Sequence, residues 1–535
     1  MAENSKELQQ ILWDGADILR SKMDANDYKD YLLGFVFYKY LSDTLLTEAY
    51  KLLEDTTPLD MATAQRAYEE AMADQDEDFI KELKQVNRYL LKPELTYTKL
   101  SENVGNNCFQ REDLQQAFNE IEQSDKLFDG LFTDVDLYSP RLGTGDLKQT
   151  QTIEQMLVKI NEANLLDYSG DVLGDAYEYM IGQFASETGK KAGEFYTPRA
   201  VSEILARVTT SGQEDVPSLT VYDPAMGSAS LLLSIKNYVK NPNFIQYYGQ
   251  ELVTSTYNLA RMNMFLHGIS PDNQHLRNGD TLDADWPVDQ PTTFHCVVMN
   301  PPYSQKWTAD SGFLTDPRFS DYGVLPPKSK ADYAFLLHGY YHLKDTGTMA
   351  IVLPHGVLFR GAAEGKIRQK LLENGAIYAV IGLPSNLFYN TSIPTTIVVL
   401  KKRREDAMSR DVLFIDASKE FEHGKKQNSL TEAHIDAILK MYHDRKDVDK
   451  HAHLATFEEI QDNDFNLNIP RYVDTFEKEP DVDLAAVAED IAKLDDEIAS
   501  AEQDVLSGLK DLTAATPEAQ KGLDMLLKLF MKEGR

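Results

Sequence analysis

The spacing of apolar residues divides the chain into stretches of different periodicity. From residue 1 to about 165, apolar residues recur every three or four positions, as at Leu8, Leu12 and Leu19, which predicts a helical domain. From 166 to 420, short apolar runs alternate with amphipathic segments. This alternation predicts an α/β domain with a doubly wound, mainly parallel sheet.

The apolar runs of the α/β region predict strands, and the amphipathic segments between them predict helices. The strands are expected at Ser218–Tyr222, Phe244–Gly249, Phe294–Met299, Thr348–Leu353, Ile377–Ile381, Ile393–Leu400 and Val412–Ile415. The expected helices include Ser228–Lys240, Thr254–His267 and Asp332–Leu343. Residues 421–480 are polar and lack a regular period, which predicts an irregular connecting segment.

Residues 481–535 carry the apolar pattern of a helix that pairs with another helix. Apolar residues alternate spacings of three and four over about three heptads, with acidic residues on the flanks. This seam consists of Leu484, Val487, Ile491, Leu494, Ile498, Ala501 and Val505. A seam this narrow predicts a segment that docks a partner, and a helical pair within the chain is the alternative. Gly508 is the expected end of the helix, with Leu509 and Leu512 beginning a second one.

Composition narrows the class of protein. The 535 residues are 42% hydrophobic, as in globular proteins, and their formal net charge is −32. A chain this acidic should be repelled by nucleic acid, because phosphate affinity comes mainly from Lys and Arg. If the substrate is DNA, a positively charged partner is expected to supply most of the binding affinity for it. The alternative is that the acidity only aids solubility.

Cysteine content and the first residues bear on the cellular compartment. The two cysteines, Cys108 and Cys296, exclude a disulfide scaffold or a cysteine-based zinc site and suit a reducing cytosol. Cys296 lies within a predicted strand and is expected to be a core residue. Residues 1–10 are not a signal peptide, and no apolar run reaches membrane-spanning length. We therefore expect a cytoplasmic protein that has no membrane partner.

The most informative stretch is Asn300-Pro301-Pro302-Tyr303, directly after the predicted strand Phe294–Met299. Two prolines cannot continue a strand interior, so the chain leaves the sheet at the strand end where α/β proteins bind ligands. The Asn300 side-chain oxygen and the Pro301 carbonyl can each accept one hydrogen of a planar amino group. Tyr303 can stack on the aromatic base that carries it. The alternative is a structural Asn-Pro turn.

A second candidate site follows the strand Ser218–Tyr222. The turn Asp223–Ser230 is rich in small residues and leads into a predicted helix. Small residues let a ligand approach the backbone and the helix N-terminus. The turn has neither the Gly-x-Gly-x-x-Gly pattern of dinucleotide-binding proteins nor a Walker loop, which lowers the odds of NAD, FAD or a nucleoside triphosphate.

Three further stretches could complete this site. Glu251 ends the next strand and is placed to bind ribose hydroxyls, or it is only a structural cap. Asp280 could contact an adenine ring, or it could form an Asx turn. The stretch around Tyr196 could be a loop that closes over a cofactor. Alternatively it is a helix start, with Thr197 as N-cap and Pro198 at the first helical position.

The segments EFYTPR, DPAMGSAS, QE, GD and NPPY follow one another in this order. As a set they resemble the modification (M) subunit of type I restriction–modification systems, a family of S-adenosylmethionine-dependent adenine-N6 DNA methyltransferases. The resemblance continues through Asp332–Phe335, Ala350–Gly356 and Ser392–Thr396 and covers the catalytic region. Many relatives carry Gly-Ser-Gly where this chain has Gly227-Ser228-Ala229, and alanine is small enough for the same turn.

The resemblance implies a role for each motif residue. Phe195–Pro198 would line the methionine end of S-adenosylmethionine, Glu251 would take its ribose and Asp280 its adenine. Asp223, Gly227 and Ser228 would hold the amino-acid portion. The full set of implied cofactor-binding residues is Glu194, Phe195, Tyr196, Thr197, Pro198, Arg199, Asp223, Met226, Gly227, Ser228, Ala229, Glu251 and Asp280. The implied catalytic residues around the target adenine are Asn300, Pro301, Pro302 and Tyr303.

The sequence lacks a module that could read base edges. The segment Ser304–Lys330 is too short for such a domain and is predicted to be a loop. We therefore expect a separate specificity (S) subunit, with two M subunits per S and a possible restriction (R) subunit, as the resemblance also implies. The reaction needs no metal, because the cofactor already carries an activated methyl group. The alternatives are an amino-group methyltransferase acting on RNA or protein glutamine, and a non-catalytic scaffold.

Overall fold

A computed structural model describes residues 2–163, 170–187, 196–283, 291–389, 391–404, 409–425, 427–475 and 483–532. The chain forms two compact units, Met1–Thr475 and Phe476–Arg535. Among the described helices, none is both long and apolar enough to cross a lipid bilayer.

The first unit begins with a helical region, as the sequence predicts. Its helices are α1 Ala2–Arg20, α2 Ala25–Glu54, α3 Met61–Ala73, α4 Glu77–Asn87, α5 Tyr97–Gly105, α6 Arg111–Ser124, α7 Asp146–Asn161 and α8 Gly170–Glu187. Their apolar faces form one core, in which the rings of Phe118 and Phe132 stack with centroids 4.2 Å apart. The core also takes in Leu259 and Met262 of the α/β region, so the two regions share packed side chains.

A nine-stranded sheet follows, with the order β3-β2-β1-β4-β5-β7-β6-β8-β9. The strands are β1 Thr220–Asp223, β2 Gln246–Glu251, β3 Gln274–Asn278, β4 Phe294–Met299, β5 Leu343–Pro354, β6 Ile377–Gly382, β7 Thr395–Lys401, β8 Val412–Asp416 and β9 Ala452–Ala455. Neighbouring strands are parallel except where β7 pairs with β5 and β6 and where β9 pairs with β8. The prediction of a mainly parallel α/β sheet is therefore confirmed. The edge strands β3 and β9 were not predicted.

Helices cover the sheet and bury both of its faces. They are α9 Arg199–Thr210, α10 Ser230–Ser234, α11 Thr254–Leu266, α12 Asp332–Tyr341, α13 Ala362–Glu373, α14 Glu432–Asp444 and α15 Phe457–Asp462. Side chains alternate between two cores, with Cys296 and Val298 in one and Val297 and Met299 in the other. Cys296 is a buried core residue as predicted, and burial raises the pKa of its thiol to about 12.

Two local predictions were wrong. The segment 421–480 is not irregular, because it contains α14, β9 and α15, and apolar residues of α14 such as Ile438 pack in the core of the sheet. The sequence signal was weak since β9 is short and lies at the edge of the sheet. The helix predicted at Ser228–Lys240 is shorter, with α10 passing into a 3₁₀ turn at Ile235–Tyr238.

The second unit contains two helices, α16 Leu484–Asp511 and α17 Pro517–Lys532. The expected break at Gly508 was wrong, because α16 continues through that residue to Asp511. An exposed glycine costs a helix only about 1 kcal/mol, which the neighbouring turns can offset. The seam residues stay exposed, as Ile491 and Ile498 show at 55% each. The helix α17 therefore leaves the seam uncovered.

Candidate active site

The parallel sheet gathers the ends of three strands at one edge. The strand β1 lies between β2 and β4, with Asp223 in register with Gly249 and Tyr222 in register with Val297. Residues that follow these strands therefore surround a common space. A cleft of about 550 Å³ opens there. The predicted site residues that line it are Glu251, Asp280, Asn300, Pro302 and Tyr303.

A narrow recess adjoins this cleft. The predicted site residues that line it are Tyr196, Thr197, Asp223, Met226, Gly227, Ser228 and Asn300. Asn300 lines both spaces, so the recess and the cleft meet at this side chain. Residues from the stretch before α9 and from the turn after β1 thus come together, although they are far apart in sequence.

Not every predicted residue is part of this arrangement. Glu194 and Phe195 lie outside the described residues. Arg199 lines a further cavity of about 180 Å³ that adjoins the recess at Tyr196 and Thr197, and its guanidinium lies 3.9 Å from the carboxylate of Asp175. Pro301 is buried next to Asn300 in the chain.

Two hydrogen bonds fix the Asn300 amide, which is only 3% exposed. Its Nδ2 donates to Thr197 Oγ1 at 3.1 Å, and its Oδ1 accepts from the Tyr303 hydroxyl at 2.7 Å. An amide oxygen has two lone pairs, so Oδ1 can still accept a hydrogen from a ligand. Burial raises the pKa of Tyr303 far above its usual value, so its hydroxyl stays protonated and remains a donor.

The turn after the two prolines is held by a buried carboxylate. Ser304 has a positive φ of 54°, and its backbone N–H donates to Asp332 Oδ1 at 2.8 Å. The other oxygen of Asp332 accepts from Arg360 Nη2 at 2.5 Å. Asp332 begins α12, so its hydrogen bond from Ser304 ties the end of the Asn300–Tyr303 turn to that helix.

Thr197 does not cap a helix, which was one of the two interpretations of its sequence. The helix α9 begins at Arg199, and Pro198 occupies the N-cap position without a side-chain hydrogen bond. The hydroxyl of Thr197 is therefore available to accept from Asn300. Thr197 is buried and lines the recess, and the other interpretation, a loop that closes over a cofactor, stays a prediction.

Asp223 ends β1 as a buried acid. Its Oδ1 accepts from the Ala225 backbone N–H at 2.9 Å. Burial and the nearby charge of Glu251 raise the pKa of Asp223 to about 8. An acid with this pKa is largely protonated at neutral pH, and a positively charged ligand in the recess would favour its ionised form.

The backbone of the turn after Asp223 is unusual at two residues. Gly227 and Ala229 have positive φ angles of 55° and 64°. This left-handed region costs an alanine about 1–2 kcal/mol. This conformation would suit a glycine at position 229, a reason that side-chain size alone did not provide. The helix α10 then begins directly after Ala229.

Glu251 and Asp280 each bond to nearby backbone while also lining the cleft. Glu251 accepts from the backbone N–H groups of Gly227 at 3.2 Å and Val253 at 2.8 Å. Asp280 Oδ1 accepts from the Leu282 N–H at 3.0 Å, so the alternative of an Asx turn is realised. These bonds hold the two carboxylates in place at the cleft, so the structural and the ligand-binding interpretations are compatible.

Two aromatic side chains that line the cleft were not among the predicted site residues. Trp307 and Phe335 line the cleft together with Tyr303 and add aromatic surface to it. Phe335 belonged to a stretch that resembles the family, but Trp307 lies in the segment that was predicted only as a loop. The sequence feature that could have identified Trp307 as a site residue was its position four residues after Tyr303.

Comparison with known proteins gives consistent results along the chain. The model of the N-6 DNA Methylase family matches residues 168–481, and that of the HsdM N-terminal domain matches residues 8–160. The type I restriction enzyme MpnII methylase subunit of Mycoplasma pneumoniae is 34% identical over 521 residues, which cover 92% of this chain and 94% of that protein. The type I restriction enzyme MjaVIII methylase subunit of Methanocaldococcus jannaschii is 33% identical over 501 residues, which cover 90% of this chain and 81% of that protein.

Among solved structures, the type I restriction-modification system methyltransferase subunit from Streptococcus thermophilus is similar over most of the chain. It has 57% sequence identity and a TM-score of 0.86, covering 88% of this chain and all of that one. A modification subunit of a type I restriction enzyme from Vibrio vulnificus shares the fold, with a TM-score of 0.61 at 17% identity. The chain therefore belongs to the N-6 DNA methylase family, among the methylase subunits of type I restriction–modification systems.

Proposed function

We propose that this subunit transfers a methyl group from S-adenosylmethionine to N6 of an adenine in DNA. The observation that carries the proposal is the position of Asn300, whose amide stands where the recess and the cleft meet. A cofactor held by Asp223, Glu251 and Asp280 across the two spaces would bring its methyl group to an amino group bound in the cleft beside Asn300. The family membership supports methyl transfer to DNA, and the motif residues support adenine as the target.

The residues present fit S-adenosylmethionine. Its sulfonium is a cation, and the acidic side chains of Asp223, which lines the recess, and of Glu251 and Asp280, which line the cleft, favour a cationic ligand. The carboxylates of Glu251 and Asp280 can accept from ribose hydroxyls and from an adenine amino group, respectively. When bound, the cofactor supplies a methyl group that is already activated for transfer.

The protein's task is then to orient the adenine amino group. The lone pair of this nitrogen is delocalised into the ring, which makes it a weak nucleophile. Two acceptors, Asn300 Oδ1 and the Pro301 carbonyl, would bind its two hydrogens and favour a pyramidal nitrogen with a localised lone pair. The hydrogen bond from Asn300 Nδ2 to Thr197 fixes the amide orientation in advance, so little reorganisation is needed at the moment of reaction.

The target base has to leave the DNA helix to reach this site. Flipping costs a few kcal/mol, and stacking on an aromatic side chain returns about 1–3 kcal/mol. Tyr303 provides that ring, and Trp307 and Phe335 extend the aromatic wall of the cleft. The cleft volume of about 550 Å³ is in the range of sites that enclose small ligands.

We further propose that a specificity subunit reads the DNA sequence, with two of these chains per specificity subunit and a restriction subunit as a further partner. The support is the charge of −32, which disfavours autonomous DNA binding, and the exposed apolar seam of α16. Exposed apolar surface in a heptad pattern is suited to bind a partner helix.

The function is tested by measuring methyl transfer from tritiated S-adenosylmethionine to unmethylated DNA, with and without a co-purified specificity subunit. Enzymatic digestion of the DNA product should yield N6-methyl-2′-deoxyadenosine only in the presence of that subunit. RNA and glutamine-containing peptides serve as competing substrates. Methylation of either one in preference to DNA would overturn the assignment, and absence of any cofactor binding would indicate a scaffold.

A further inference from the structure

The segment Ser304–Lys330 leaves the catalytic turn and forms one wall of the cleft; it is called the wall segment below. Gln305, Lys306, Trp307 and Thr308 line the cleft. Backbone hydrogen bonds close the segment on itself, since Trp307 N–H donates to the Lys328 carbonyl at 3.1 Å and Ala331 N–H donates to that of Gln305 at 2.8 Å. The wall segment is therefore an ordered structure despite its lack of long helices or strands.

Three aromatic rings form a small core inside the wall segment. The ring of Trp307 lies 5.5 Å from those of both Phe313 and Phe319, and these two are 5.9 Å apart. The guanidinium of Arg318 lies 5.2 Å from the ring of Phe319. A shift of the Arg318 side chain would therefore displace Phe319 and, through it, Trp307, which lines the cleft.

Arg318 joins the wall segment to the cofactor side of the cleft. It is only 2% exposed, and its Nη1 donates to the Thr281 carbonyl at 3.0 Å. Its Nη2 and Nε donate to the carboxylate of Asp316 at 2.7 Å and 3.0 Å. Thr281 itself donates through Oγ1 to the Pro224 carbonyl at 2.6 Å, in the turn after β1.

A second branch runs from Arg318 to the strand that ends at the cofactor site. Nη1 of Arg318 also lies 3.1 Å from His338 Nδ1, and His338 Nε2 lies 2.8 Å from the Tyr222 hydroxyl. Burial, together with the charges of His342 and Arg318, lowers the pKa of His338 well below its usual value. A neutral His338 accepts at Nδ1 from Arg318 and donates from Nε2 to Tyr222, the residue before Asp223.

We propose that Arg318 is a positioning residue that couples cofactor binding to base flipping, by joining the turn at Pro224 and Thr281 to the wall that carries Trp307. This inference rests on the proposed function. It adds a route through bonded and packed side chains by which binding on the cofactor side of the cleft affects binding of the base. A cofactor that binds against Pro224 and Thr281 fixes the hydrogen bonds that lead from these residues to Arg318. These bonds in turn order the wall segment before the base enters. Coupling between two ligands is reciprocal, so a flipped base also tightens cofactor binding.

The chemistry of Arg318 favours a positional role over a purely stabilising one. A buried ion pair contributes little net stability, because desolvation of both charges offsets their attraction. A guanidinium in turn directs several donors at once in a fixed plane. The guanidinium of Arg318 contacts three residues in this way, namely Thr281, Asp316 and His338. A lysine keeps the charge but cannot reach all three.

The test compares cofactor binding with and without DNA in the complex of this chain with its specificity subunit. Calorimetry measures the affinity for sinefungin, an unreactive cofactor analogue, with and without duplex DNA carrying 2-aminopurine at the target position. The ratio of the two dissociation constants is the coupling factor, expected in the range of about 5–150 for the unaltered protein. The fluorescence of 2-aminopurine reports flipping in the same samples.

Arg318→Lys should bring the coupling factor close to one while sinefungin binding without DNA changes only a few-fold. The matched control is Arg404→Lys, another buried arginine that donates to backbone carbonyls, at Gly375 and Asp411, none of which lines the cleft. This control should keep the coupling factor. Thr281→Val removes only the bond to Pro224, and it should lower the factor even if Arg318→Lys fails to fold.

The outcomes separate this inference from the function on which it rests. If the unaltered complex binds sinefungin but has a coupling factor of one, or if Arg318→Lys and Thr281→Val keep the original factor, the coupling role is wrong. Equal losses in Arg318→Lys and Arg404→Lys would indicate a structural role and also overturn it. If the unaltered complex fails to bind sinefungin at all, the proposed function itself falls.

Discussion

At the scale of single residues, the site depends on the fixed amide of Asn300. We expect Asn300→Ala to lower the rate of methyl transfer by roughly 10²–10³-fold, because an acceptor aimed at the reacting amino group is lost. Cofactor affinity should change only a few-fold, since the acidic groups that surround the cofactor remain. Single-turnover methylation and calorimetry with S-adenosylmethionine measure the two effects. Near-normal turnover in this variant would show that Asn300 does not orient the base.

Tyr303 combines a ring that can stack with a hydroxyl that holds Asn300. We expect Tyr303→Phe to retain base flipping, because the ring provides stacking, but to slow methyl transfer through the lost bond to Asn300 Oδ1. Tyr303→Ala should reduce flipping as well. Fluorescence of 2-aminopurine reports flipping, and rapid quench reports transfer. Equal loss of flipping in both variants would mean that the hydroxyl, not the ring, holds the base.

Asp223 should make cofactor binding depend on pH. Its raised pKa, about 8, means that the cofactor-free protein binds a proton there at neutral pH. A cationic cofactor favours the carboxylate, so binding releases this proton, and affinity rises with pH up to about pH 8 and then levels off. Below that pH the slope should approach tenfold per pH unit, equivalent to about 1.36 kcal/mol.

Calorimetry with S-adenosylmethionine in buffers of different ionisation enthalpy measures the proton release from Asp223 directly. The control is Asp223→Asn, in which both the proton release and the slope should disappear even if affinity is lower. Affinity that falls as pH rises from 6 to 8 would contradict the assignment of a protonated Asp223.

At the scale of elements, α16 presents an apolar seam that its own unit does not cover. We expect Ile491→Ser combined with Ile498→Ser to abolish co-purification with the specificity subunit, because both side chains are more than half exposed and lie in the seam. The same variant should still bind S-adenosylmethionine, because the proposed cofactor residues belong to the other compact unit. Co-expression followed by size-exclusion chromatography measures complex formation.

The matched control for the α16 seam is Asp496→Ser, which introduces the same residue on the acidic face of the helix. It should leave the complex intact. Truncation of residues 481–535 should act like the double seam variant and also abolish sequence-specific methylation. A truncated chain that still forms the full complex would mean that the seam does not dock the partner.

At the scale of the whole molecule, the net charge of −32 predicts weak DNA binding by the isolated chain. Binding should be detectable only at low salt, and affinity should rise strongly when the specificity subunit is added. The slope of log K against log salt should steepen at the same time, because the partner supplies most phosphate contacts. Fluorescence anisotropy with a labelled duplex measures both. Tight binding of DNA by the isolated chain at physiological salt would contradict the expectation that the partner supplies most phosphate contacts.

Some features of this protein were determined by the sequence alone. Alternating apolar runs predicted the α/β sheet, because buried strands and amphipathic helices have characteristic periods. The position of Asn300–Tyr303 at a strand end followed from the two prolines, which cannot continue a strand. The helix α16 followed from its heptad spacing. These are local properties, fixed by neighbours in the chain, and they were accordingly predictable.

Other features were decided only by the tertiary structure. Thr197 had two interpretations until the fold brought it within hydrogen-bond distance of Asn300, about one hundred positions later in the chain. The raised pKa of Asp223 depends on burial beside Glu251, which no local pattern records. The reach of Arg318 to Thr281 and His338 likewise requires strand order and packing. Periodicity specifies which elements form and which faces they bury, whereas contacts between distant residues arise only when those elements pack.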